Sequence, residues 1–114
     1  VSAFAPICHP AVVPWGEKAF TAYLGSNRAT WARHDATLLL EAGSTHPTEI
    51  LVDQGESDKF LHNQLKPELL AAAARQAGQE LRLRLHAGYD HSYWFIQSFI
   101  ADHIDHHATV LNAL

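Results

Sequence analysis

The sequence contains no methionine and a single cysteine, Cys8. One thiol cannot close an intrachain disulfide, so the fold must rest on packing, and this usage fits a reducing compartment. Basic residues are scarce: Lys and Arg total 8 against 12 Asp and Glu, a formal charge of −4 with no basic cluster. The electrostatic footprint of a nucleic-acid or anionic-membrane partner is therefore lacking. No apolar run approaches the roughly 18 residues of a membrane-spanning helix, and no secretory signal pattern appears. Repeats and low-complexity segments are missing too. So is a nucleophile elbow of the form G-x-S-x-G: Ser2, Ser26, Ser44, Ser57, Ser92 and Ser98 all lie outside such a motif.

What is present points to a packed domain. The chain has 114 residues and is 47% hydrophobic, enough for one core and too apolar for disorder. It opens directly on the apolar run "VSAFAPI", which reads as a core strand over Val1–Ile7 with no polar lead-in. The expectation is a piece of a longer protein. "HPAVVPWG" reads as a loop, and "EKAFTAYLG" as a short helix closed by Gly25. Asn27 and Asp35 are placed to cap two further short helices. "ILVD" (Ile50–Asp53) is a continuous apolar run, the pattern of a strand covered on both faces. "PELLAAAARQAG" carries Pro67 at its first turn and Gly78 past its last, a helix. "LRLRLH" (Leu81–His86) alternates Leu with Arg, a strand near a sheet edge with one polar face. From Tyr93 onward, Ile96, Phe99, Ile100, Ile104, Leu111 and Leu114 fall at helical spacing and predict a long amphipathic helix. Strands alternating with helices argue for a mostly parallel sheet with flanking helices. The pattern is that of the C-terminal half of an α/β domain.

Nine histidines are the chemical feature of the sequence, five of them within Leu85–His107. His103 and His107 share a helix face, yet "HIDHH" lacks the Glu of H-E-x-x-H and no third ligand stands at a known spacing. No metal site is therefore assigned, and His103, His106 and His107 are expected on or beside the solvated face of the last helix. His9, His34, His46 and His62 are expected at the surface. His86 ends a strand and is placed either in the core or at a cleft. His91 differs: it lies in the loop between the last strand and the last helix, where sites form in open α/β sheets. Gly88 permits a sharp turn there, and Tyr89, Tyr93, Trp94 and Phe95 can wall a cleft. One strand-and-helix unit earlier, "ILVDQGESD" offers Asp58 in a loop and Asp53 at a strand end. An acid after one strand and a histidine after the next is the tail order of an α/β-hydrolase triad. Asp58 is the first candidate acid, with Asp53 second as a brace for the loop. Asp90 is adjacent to His91 and points away from it. Ser92 reads as a helix cap. Cys8 lies at the end of the first strand and reads as a small buried apolar residue.

The segments "SAFAPI", "PWGEKAFTAYLG", "ILVDQGESDKFL", "QLKPELL" and "GYDHSYWFIQSFIADHIDHHA" resemble the S-formylglutathione hydrolases, the esterase D group of α/β hydrolases. The resemblance spans essentially residues 1–114 and implies the C-terminal part of a single α/β-hydrolase domain. It implies His91 as catalytic base, Asp58 as triad acid, and a serine nucleophile in an N-terminal half that this chain lacks. The implied reaction hydrolyses S-formylglutathione to glutathione and formate, without metal or other cofactor, in a cytoplasmic enzyme that is a homodimer when intact. Trp15 and Tyr89 are expected to border the substrate. The chain alone is expected to be inactive; the competing readings are an inactive proteolytic fragment and a less specific carboxylesterase.

Overall fold

The computed structural model describes all residues from Val1 to Leu114. Three parallel strands, β1 (Ser2–Phe4), β2 (Ile50–Gly55) and β3 (Leu81–His86), form one sheet in the order β1-β2-β3. Between β1 and β2 lie α1 (Pro14–Leu24) and α2 (Ala36–Glu41); α3 (Pro67–Ala77) links β2 to β3, and α4 (Tyr93–Asn112) follows β3. No helix is long and apolar enough to cross a membrane.

β2 is the centre of the sheet and is buried over Leu51–Gly55, as its continuous apolar run predicts. Its odd and even positions face different layers. Val52 packs with Cys8, Leu40, Leu70, Ala73 and Ala74 in the core beneath α2 and α3. Leu70, Ala73, Ala74 and Ala77 recur at helical spacing, so the alanine-rich face of α3 approaches the sheet closely. On the other face a second core joins Ala5, Leu65 and Phe95 with Phe4, Phe60, Tyr89, Ile96 and Phe99. The sheet is thus covered on both faces, as expected for parallel strands.

Several local expectations change. β1 is shorter than Val1–Ile7 because Ala5 turns out of the strand at φ 46°. The segment Pro10–Val12 forms a 3-10 turn, and α1 begins at Pro14; proline at a first helical position needs no N–H partner. Gly16 is required inside α1 because a Cβ there would lie 2.0 Å from the Pro10 carbonyl oxygen. Asn27 and Asp35 do cap: their side chains accept from the Ala29 and Leu38 backbone N–H groups. Ser92 occupies the N-cap of α4 but donates its hydroxyl to Asp90 instead.

The largest correction concerns α4. Its inward stripe is Phe95, Ile96, Phe99 and His103, whereas Ile104, Leu111 and Leu114 are exposed. His103 is 3% exposed, not solvated, because a carboxylate on the sheet receives it. Likewise the Arg face of β3 is only partly open to water: Arg82 is exposed, whereas Arg84 is drawn inward. Arg84 is directly opposite Asp53 in the register of β2 and β3, and α4 lies over both. His9 is also buried rather than at the surface: its Nδ1 donates to Asp35 at 2.7 Å.

Candidate active site

His91 and Asp58 meet. Asp58 is on the loop after β2 and His91 on the loop after β3, so both stand at the carboxyl ends of neighbouring parallel strands. His91 Nδ1 lies 2.8 Å from Asp58 Oδ2. An ionised carboxylate can only accept, so Nδ1 carries the proton and Nε2 is left as the acceptor nitrogen. The Asp58 carboxylate is completely buried, while the His91 side chain is 39% exposed. Two further donors hold the acid: the Gln54 amide at 3.1 Å on Oδ2 and the Phe60 backbone N–H at 2.8 Å on Oδ1. The Phe60 ring stands edge-on to His91, with centroids 5.5 Å apart. Beside His91 opens a largely apolar cavity of about 400 Å³, lined by Phe4, Ala5, Ser92, Tyr93, Phe95 and Ile96.

Gly55 is needed here for a reason other than turning the chain. A Cβ at this position would lie 2.2 Å from the Tyr89 carbonyl oxygen. Tyr89 O accepts from Ser57 N–H at 2.9 Å, and His86 O from Glu56 N–H at 2.9 Å. These bonds fasten the His91 loop to the segment leading to Asp58. Gly88 does supply the turn, at φ 80°.

The remaining candidates fall in different places. Trp15 is exposed on α1 and packs on Phe60, with ring centroids 4.4 Å apart, and Phe60 in turn meets His91. The Tyr89 ring stacks on Trp94 at 4.3 Å and joins the aromatic cluster under α4. Asp90 is exposed and accepts from Ser92. Cys8 is buried beneath the sheet, and its thiol is pushed up to about 12 by burial first and then by the charges of Glu68 and Asp35. Sequence reasoning missed Gln54 and Phe60. For Gln54 the available signal was a polar residue inside the apolar run "ILVDQG".

Asp53 does not touch His91. It is completely buried and accepts four hydrogen bonds: from Arg84 Nε and Nη2 at 2.6 Å each, His86 Nε2 at 2.9 Å and His103 Nε2 at 2.7 Å. Burial alone would raise its carboxyl, but the bonds from Arg84, His86 and His103 and the Arg84 charge prevail and hold it at about 2. The bond to Asp53 is also the main cause raising Arg84 above its ordinary value. Arg84 pairs in addition with Asp102 at 2.9 Å. His103 and His107, which share a helix face, are drawn apart: one to Asp53, the other to Ser2.

Comparison with known proteins identifies the family and the fold. The Esterase family model matches residues 1–106. An S-formylglutathione hydrolase of Arabidopsis thaliana is 52% identical over 111 residues, covering 97% of this chain and 39% of that protein. One from Paracoccus denitrificans is 55% identical over 108 residues, covering 95% and 38%. A solved S-formylglutathione hydrolase from Agrobacterium tumefaciens superposes with a TM-score of 0.90 at 47% identity, over 95% of this chain and 39% of that one. The chain therefore spans about 40% of the length of these relatives, matching their C-terminal portion. The fold is α/β, a parallel sheet with flanking helices like the corresponding part of that α/β hydrolase. With a match over residues 1–106, this chain belongs to the Esterase family.

Proposed function

We propose that this chain supplies the base and the acid of a serine thioesterase that hydrolyses S-formylglutathione to glutathione and formate. The observation that carries this reading is the His91–Asp58 pair, a buried acid 2.8 Å from a part-exposed imidazole at the ends of adjacent parallel strands. Residues 1–114 then form the C-terminal part of one α/β-hydrolase domain. The serine and its oxyanion donors belong to the portion of the relatives that this chain does not span.

Each group has a distinct task. Asp58 fixes the tautomer, leaving Nε2 of His91 free to take the serine proton as the hydroxyl attacks the formyl carbonyl. The imidazolium that forms is stabilised by Asp58, and its proton is available to the departing glutathione thiolate. Water then attacks the formyl-enzyme with His91 again as base, releasing formate. Gln54 and the Phe60 N–H hold the acid in place, so the ring orientation is set before substrate arrives. Trp15, packed on Phe60, borders the approach and limits the acyl group; Tyr89 shapes the loop from behind. The reaction needs no metal or other cofactor, and we place the intact protein in the cytoplasm as a homodimer.

The test is turnover of S-formylglutathione by the full-length protein with and without His91→Ala. A loss of at least about 1,000-fold is expected. Substantial residual turnover would remove His91 from the mechanism. Hydrolysis of simple carboxylic esters but not of the thioester would favour a general carboxylesterase.

A further inference from the structure

We propose that Asp53, with His103 and His86, is the device that positions His91, an inference that rests on the function proposed above. The loop carrying His91 runs from His86, the last residue of β3, to Tyr93, the first of α4. Asp53 holds the elements on either side of it, β3 at His86 and α4 at His103. His86 Nε2 binds Oδ1 on the strand side, and His103 Nε2 binds Oδ2 on the helix side. Arg84 spans both oxygens from the neighbouring strand and reaches on to Asp102 of α4.

The rest of the interface between α4 and the sheet is mainly aromatic. Phe4 stacks on His103 and Phe99 on His86, each at 3.8 Å, and Phe95 meets Phe4 edge-on at 5.8 Å. Such surfaces hold a helix against a sheet but tolerate sliding along it. A buried hydrogen bond has a fixed length and direction and does not. α4 rises about 1.5 Å per residue as a stiff rod, so an axial slip at His103 is transmitted to its first turn and the adjoining His91. A misplacement of about 1 Å in a catalytic group costs on the order of 100-fold in rate.

The chemistry of His103 points the same way. Its Nδ1 is buried without a partner. A phenyl ring could stack on Phe4 without burying that polar atom, so histidine at this position is not the choice that packing alone would favour. What it adds is one directed N–H on Asp53.

Two substitutions in the full-length protein separate direction from packing. His103→Phe keeps a ring on Phe4 and deletes the donor. His103→Gln loses the ring but places an amide N–H near the former Nε2. Loss of kcat by roughly 10- to 100-fold in the Phe variant is expected, with KM within about twofold and most of the rate regained in the Gln variant. A folded Phe variant with kcat within about twofold of wild type, or equal losses in both variants, would overturn the proposal. If His103→Phe does not fold, His86→Phe, at a half-buried site, is read against the same criteria. His91→Ala is measured alongside. If it abolishes turnover while the Phe variant stays within about twofold of wild type, the positioning role alone fails; if it retains turnover, the base assignment fails and the positioning role with it.

Discussion

The Tyr89 carbonyl oxygen occupies the space in which a side chain at Gly55 would begin, 2.2 Å from the ideal Cβ position. Gly55 ends β2 just ahead of the loop that carries the proposed acid, Tyr89 belongs to the loop that carries the proposed base, and their closeness lets Ser57 N–H reach Tyr89 O at 2.9 Å. Gly55→Ala must therefore push the loops apart, because both sides of the contact are backbone. The expected result is a stability loss of about 1–3 kcal/mol, with kcat reduced on the order of 10- to 100-fold. Thermal unfolding and thioester turnover of the full-length variant check this. Wild-type values for both would mean that the loops do not need to lie so close.

Asp58→Asn preserves size but replaces an acceptor oxygen with an amide, which can stabilise the wrong tautomer of His91. A fall in kcat on the order of 1,000- to 10,000-fold is expected, with KM little changed. A variant that turns over within about tenfold of wild type would remove Asp58 from the triad role.

Asp53 makes the stability of the fold dependent on acid. Its carboxyl is lowered from 3.8 to about 2 in the folded protein, so the folded state favours the ionised form. Its contribution, on the order of 2 kcal/mol, is fully present above about pH 4 and is lost as pH falls toward about 2. Denaturant unfolding of wild type and Asp53→Asn should show a stability gap at neutral pH that narrows through that window. A gap that stays constant down to the lowest pH would show that ionisation of Asp53 is not linked to folding.

Cys8 should be chemically silent in the native protein. Its thiol is buried and pushed up to about 12, and the thiolate is the reactive form. Alkylation at pH 8, followed by mass spectrometry of the Cys8 peptide, should be at least about 100-fold slower in native than in denatured protein. Comparable rates would place Cys8 in contact with solvent.

Much of this structure is legible in one dimension. The apolar run at Ile50, the Pro67 and Gly78 boundaries of α3 and the Asn27 and Asp35 caps all follow from backbone chemistry acting over a few residues. Loop position and chain order likewise single out His91 and Asp58, because an α/β sheet presents its strand ends on one side. The sequence is less informative about burial. Val1–Ile7 reads as a full strand, yet it turns at Ala5. The alternation in "LRLRLH" predicts a polar face for β3 without revealing that α4 covers Arg84 while Arg82 stays exposed.

The sequence by itself determined most of the helices and strands, though not the ends of β1 and α1, and which loops carry the candidate base and acid, since propensity, capping and periodicity are local. Only the tertiary structure decided which histidines are surface and which are core. His103 looks like part of an exposed "DHIDHH" run until β2 sets Asp53 beneath it at 2.7 Å. His9 looks like a loop residue until Asp35, 26 positions later, accepts a hydrogen bond from its ring. A charged or polar side chain is buried only where a partner waits, and those partners lie far away along the chain.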